Sequence, residues 1–248
     1  NDGREVKIAS TDIRHCDHPG HVPGNGLSLP FADRAFELVV SLDVLEHIPP
    51  EDRPRFLREL DRVASRWIIL GAPFHSPEVE KAEASLVDDL GLHFLEEHSR
   101  FGLPAEEMIT TCFSEEYGRH LLRFENGFLP HWGMMLPLTQ LLFSIHNYQI
   151  YSAANRYYNE EYYTQDCRRP GYRTFFLISR EPFPGREGEA LKSLPGYSPA
   201  REAGPGPEPQ APRPLPFYNE LLHLMETRSR DTADLHFLLA EREKYAAI

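Results

Sequence analysis

Residues 36 to 42, FELVVSL, and 66 to 74, RWIILGAPF, are two apolar runs separated by a single amphipathic segment. No other feature narrows the fold as much. Strands buried on both faces read as near-continuous apolar runs, and they occur as parallel strands covered by helices. The intervening stretch, PPEDRPRFLRELDRVA, repeats Phe56, Leu57, Leu60 and Val63 at helical spacing. Glu51 and Asp52 stand at its start, where negative charge suits the helix dipole. Strand, helix and strand in this order predict a parallel pair with a crossover helix, and hence an α/β fold.

The same reading extends along the chain. Residues 5 to 13, EVKIASTDI, alternate and end in Asp12, which predicts a strand. Residues 14 to 28 hold Pro19, Gly20, Pro23, Gly24 and Gly26 and read as loop, with a very short strand near His21 and Val22. Residues 77 to 120 read as helices broken near Gly91 and at Gly102–Pro104. HLLRFENGF (120 to 128) and YRTFFLISR (172 to 180) read as strands, and between them lies an aromatic-rich helical insertion at about 131–166. From Glu181 to Pro216 there are ten prolines and five glycines in 36 residues, the composition of a semi-extended linker. Leu221, Leu224, Leu235, Leu238 and Tyr245 then fit a heptad-like seam. The expected layout is a domain over 1–181, a Pro-rich linker over 182–216 and a C-terminal helix over 217–248, an interaction helix or weak coiled coil.

Charge and cysteine content exclude several classes. A net charge of −12 argues against a nucleic-acid backbone as the main partner. Cys16, Cys112 and Cys167 are scattered, with no CxxC pair and no Cys/His metal spacing, so no metal site is expected and the thiols suit a reducing, cytoplasmic setting. No apolar run reaches the roughly 20 residues of a membrane span, and no signal peptide is visible.

Chemistry is expected at the carboxyl ends of the parallel strands, where ligands of open α/β sheets bind. Asp12 ends the first strand, and Asn25, Gly26 and Leu27 precede the second. Ser41, Leu42 and Asp43 end the second, with Glu46 and His47 just beyond. A carboxylate accepts both hydroxyl hydrogens of a ribose, and an amide both donates to and accepts from an adenine edge. The set suits a nucleoside cofactor.

These residues carry a resemblance. GNGLSLPFADRAFELVVSLDVLEHIPP resembles the middle of a class I S-adenosylmethionine-dependent methyltransferase of the small-molecule type, and the resemblance runs well over about residues 5 to 75. It implies a Rossmann-like three-layer sandwich with a mostly parallel sheet and S-adenosyl-L-methionine as cofactor. Asp12 takes the place of the ribose acid, and Asn25 stands where an adenine-contacting Asp is usual. Gly26, Leu27, Ser41, Leu42 and Asp43 complete the cofactor-binding set. Leu29, Pro30 and Phe31 match the family's LPF element, and Leu45, Glu46 and His47 its LEH element. The family's glycine-rich loop after its first strand has no counterpart here, so the resemblance implies a beginning upstream of Asn1.

Methyl transfer from a sulfonium needs a positioned acceptor and, for many acceptors, a base. His47 is the candidate catalytic base, because its ordinary pKa lies near neutrality. Glu46 is the candidate to hold its tautomer or to serve in its stead. The plainer reading makes His47 a packing residue at a helix start and points Glu46 to solvent. His75 reads more readily as a neighbour of a Ser76–Pro77 helix start than as a substrate contact. His93 and His98 lack the i, i+4 spacing of helical metal ligands and read as packed or solvated. Trp132, Tyr148, Tyr151, Tyr157, Tyr158, Tyr162 and Tyr163 are more often core or a dimer face than a pocket lining.

Within the resemblance, a Pro-rich exit and helical tail suggest a fused glycosyltransferase module or self-association, and a small molecule, glycan or glycan precursor as acceptor. A non-catalytic scaffold that keeps the fold is the rival reading, and a nicotinamide-dependent dehydrogenase is a weaker one.

Overall fold

The computed structural model describes residues 7–14, 16–90, 93–144 and 148–199. The expected tail helix and most of the expected linker lie outside the described residues. The elements are β1 (Phe36–Leu42), α1 (Arg53–Val63), β2 (Ala64–Pro73), α2 (Pro77–Leu90), α3 (His93–Phe101) and α4 (Glu106–Ile109). β3 (His120–Phe128), α5 (Leu129–Ser144), α6 (Tyr148–Tyr157), α7 (Tyr163–Asp166), β4 (Gly171–Ser179) and α8 (Gly185–Lys192) follow. The strands hydrogen-bond in the order β1-β2-β4-β3. β1 and β2 are parallel, with Val39 opposite Ile68 and Leu42 opposite Gly71. With α1 between them they form the β-α-β unit expected from the two apolar runs.

Contacts divide the chain into two compact units. The first comprises Asn1–His75, Glu97–Arg123 and Phe175–Lys192; the second comprises Ser76–Glu96, Phe124–Thr174 and the C-terminal remainder. In the first unit, Phe56, Leu57 and Leu60 of α1 pack with Ile68, Leu70 and Ala72 of β2, Leu45, Ile109, Phe113, Phe176 and Ile178. Asp61 of α1 takes a two-pronged ion pair from Arg119, at 2.8 and 2.7 Å, and a further contact from Arg180 at 3.1 Å. In the second unit, Leu138, Leu142, Ile150, Ala154 and Tyr162 form a separate core.

Two local expectations change. The strand over 5–13 does not form a ladder among the described residues. A single parallel bridge joins Ser10 to His21, through Ser10 N–H to Gly20 O at 3.1 Å and Val22 N–H to Ser10 O at 2.9 Å. The reason is visible in the side chains: Ile8 and Ile13 stay exposed, so the alternation buries nothing. Within the stretch read as linker, residues 185–192 form α8, and Tyr197 bridges Phe124. The aromatic insertion is mainly core: Tyr162 is buried with Tyr151, Tyr157 and Tyr158 packed against its cluster, Trp132 is buried and stacked on Tyr172, and Tyr148 and Tyr163 are exposed.

Candidate functional site

The expected cofactor residues lie on three short pieces of backbone in the first unit. Asp12 Oδ1 accepts the Arg14 N–H at 2.7 Å, and Asn25 Oδ1 accepts the Leu27 N–H at 2.9 Å. Both are side chains that cap a turn of their own backbone. The Gly24 N–H donates to Asp12 O at 3.0 Å, which sets Asn25 one residue from a direct neighbour of Asp12. One lone pair of Asp12 is used locally, and a carboxylate has roughly four such positions. The acid therefore keeps acceptors for a diol.

Gly26 and Leu27 also pack against α1 and the core. A Cβ on Gly26 would sit 2.8 Å from the Phe56 ring, so its bare backbone makes room for α1. Leu27 is partly buried against the core beside it. The LPF element next to them is held by α1. Arg62 donates to Leu29 O at 3.0 Å, Phe31 O at 2.8 Å and Asp33 Oδ1 at 2.8 Å. Glu59 takes the Leu29 N–H at 2.7 Å and grips Arg62 with both oxygens at 2.8 Å. The Arg62 hydrogen bond is the main reason the Glu59 carboxyl is held below its ordinary pKa.

At the end of β1 the backbone turns sharply. Asp43 sits at φ 51° and its N–H donates to Gly71 O at 2.9 Å. Asp tolerates this left-handed region better than most residues. Leu42 is about half exposed. Ser41 is buried, and its hydroxyl has no hydrogen-bond partner among the described residues; the same holds for the Thr11 hydroxyl. Buried polar atoms are nearly always paired. An orphaned hydroxyl at Thr11, next to Asp12 in sequence, and another at Ser41 are groups a polar ligand such as S-adenosylmethionine could meet. Ser41 and the Asp12–Asn25 pair are placed by different elements, and the described hydrogen bonds do not link them.

His47 and Glu46 lie on a single turn of 3-10 helix, Leu45–His47. Glu46 is fully buried rather than turned to solvent. It faces Arg53, whose own pKa is lowered by burial, with the Glu46 charge opposing that shift. The carboxylate that meets His47 is Glu97 of α3, at 2.9 Å from Nδ1. Glu97, fifty residues away in sequence, is thus a carboxylate placed to hold the His47 tautomer, the part the sequence reading gave to Glu46. Nothing in the sequence marks Glu97, because that contact is made only when α3 comes to rest against the turn. His98, read as packed or solvated, is buried with its ring centroid 4.9 Å from that of His47. Glu46, His47 and His98 each offer one ligand atom, all within 4.8 Å of one another. The side chain of His93 lies outside the described residues.

The family description "Methyltransferase domain" matches residues 3–66, a span that includes Asp12, Asn25, the end of β1 and the Glu46–His47 turn. The chain is 28% identical to norajmaline N-methyltransferase of Rauvolfia serpentina over 37% of each protein. It thus spans little more than a third of the curated relative it matches. Among solved structures, it resembles a SAM-dependent methyltransferase from Thermotoga maritima (9% identity, 65% of this chain and 64% of that one, TM-score 0.40). It also resembles magnesium protoporphyrin IX methyltransferase from Synechocystis PCC 6803 with bound SAH (14% identity, 65% and 51%, TM-score 0.35). What these comparisons share is the methyltransferase domain, and the part of this chain that matches it is residues 3–66.

Proposed function

We propose that the protein transfers the methyl group of S-adenosylmethionine to a small molecule or to a glycan or its precursor. The observation that carries this reading is the methyltransferase-domain match over residues 3–66, because it falls on the strand ends whose polar groups are left over after folding. Bound S-adenosylmethionine supplies an electrophilic methyl on a sulfonium. Asp12 would accept the ribose hydroxyls, Asn25 would meet the adenine edge, and Ser41, Leu42 and Asp43 would close the site at the end of β1. Gly26 and Leu27 serve by holding the turn that carries Asn25.

His47 is placed to take the proton that the acceptor oxygen or nitrogen loses when its bond to carbon forms. With Nδ1–H donated to Glu97, the lone pair lies on Nε2, and the carboxylate stabilises the imidazolium that results. The glycan class of acceptor and a fused glycosyltransferase module rest on the resemblance of the Pro-rich exit alone.

Titration of S-adenosylmethionine into the full-length protein by calorimetry tests the reading. Saturable binding is expected, weakened at least about tenfold by Asp12→Ala, since a lost hydrogen bond to a charged group costs about 1.5–3 kcal/mol. Absence of binding, with the chain folded, would favour the scaffold reading instead.

A further inference from the structure

We propose that Glu46, His47 and His98 form a binding site for a divalent first-row transition cation, of the Zn²⁺, Fe²⁺ or Co²⁺ kind. Three observations converge. First, the donor set is two imidazoles and one carboxylate, which suits these ions and leaves coordination positions open for other ligands. Second, two chain segments bring the donors together. The turn at the end of β1 supplies Glu46 and His47, α3 supplies His98, and the three ligand atoms lie within 4.8 Å of one another. Glu46 and His98 are buried and His47 is partly exposed, so the site has both a dry floor and an approach.

Third, His47 is already oriented as a ligand. Its Nδ1 meets the Glu97 carboxylate at 2.9 Å, which leaves Nε2 with the lone pair. Metal-ligating histidines almost always donate their other N–H to such a carboxylate or carbonyl. A cation with bonds of about 2.0–2.1 Å holds its donors about 3.0–3.4 Å apart. From at most 4.8 Å, reaching that spacing brings the donor atoms less than about 2 Å nearer one another.

With the cation bound, His47 is a ligand rather than a base. An acceptor oxygen in an open position would then lose its proton to water more readily, because the metal stabilises the oxyanion. That consequence rests on the methyltransferase reading; the metal site does not.

The test is direct. Full-length protein is stripped with chelator, dialysed, and titrated with Co²⁺ in the absence of S-adenosylmethionine, with visible d–d absorption as the readout and Zn²⁺ as competitor. One equivalent of saturable binding is expected. His47→Asn should weaken it at least about tenfold, and Glu97→Gln, acting through His47, about 10–100-fold. Both positions are partly exposed, so the variants keep the fold when the buried His98→Asn does not. No absorption band up to about 1 mM Co²⁺, or an affinity that His47→Asn leaves unchanged, overturns the site. Neither result bears on cofactor binding, which is measured separately.

Discussion

Gly26 shows how a residue expected at a ligand can be explained by a ring. Its Cβ would lie 2.8 and 2.9 Å from two carbons of Phe56. Gly26→Ala therefore trades two effects. Stiffening the unfolded chain gains about 0.4–1 kcal/mol, while overpacking against a core ring costs about 1–3 kcal/mol. The clash should win, giving net destabilisation of about 1 kcal/mol in urea unfolding. In a Phe56→Leu background the added methyl should cost distinctly less. An equal cost in both backgrounds would mean that Phe56 is not what Gly26 accommodates.

At the scale of the element, α1 does more than cross over between two strands. Its Glu59–Arg62 pair clamps the loop from Leu29 to Asp33 through four hydrogen bonds to that loop. Glu59 has a lowered pKa in the folded state, chiefly through Arg62. A depressed carboxyl pKa contributes stability that is present above the unfolded value and lost as pH falls through the folded one. The clamp should thus be intact at neutral pH and weaken below the ordinary carboxylate range. Glu59→Gln should cost about 1–2 kcal/mol at pH 7, after allowing for solvent screening. It should also flatten the acid limb of the stability profile. Hydrogen exchange at the Leu29 amide reports the clamp; an exchange rate unchanged by the substitution would refute it.

At the scale of the whole molecule, the second unit has its own polar centre. His131 and Asp166 are buried and meet at 3.2 Å, with the Tyr162 hydroxyl 2.9 Å from His131 Nε2 and the Tyr158 hydroxyl donating to Asp166. Burial pushes the Tyr162 hydroxyl up to about 12, with Asp166 adding to the shift, and it raises Tyr158 for the same reasons. Both phenols remain donors at neutral pH. Asp166→Ala would leave the partly buried Tyr158 hydroxyl without this acceptor and His131 with only the Tyr162 hydroxyl, at about 1–3 kcal/mol for each bond lost. Because the two units have separate cores, exchange protection should fall over 124–174 and hold over 36–73. A uniform loss across both would show that the chain unfolds as a single cooperative body.

The α/β class, the parallel pair, α1, β3 and β4 were legible from periodicity alone, because burial on one or two faces leaves a repeat in the order of residues. The strand at 5–13 was misread for a related reason. Alternation states which face is apolar, but not whether anything covers it, and Ile8 and Ile13 are uncovered. The site divides in the same way. Asp12, Asn25, Ser41, Asp43, Glu46 and His47 stand out in the sequence as polar residues in and around the apolar runs, and their roles at a ligand belong to the proposed function. Their partners were not. Glu97 and His98 reach the Glu46–His47 turn, and Phe56 reaches Gly26, only through packing between segments distant in sequence. Local order along the chain determines which elements form and which way they point. Which side chains finally touch depends on how those elements dock, and docking follows the sum of many weak contacts that no short stretch contains.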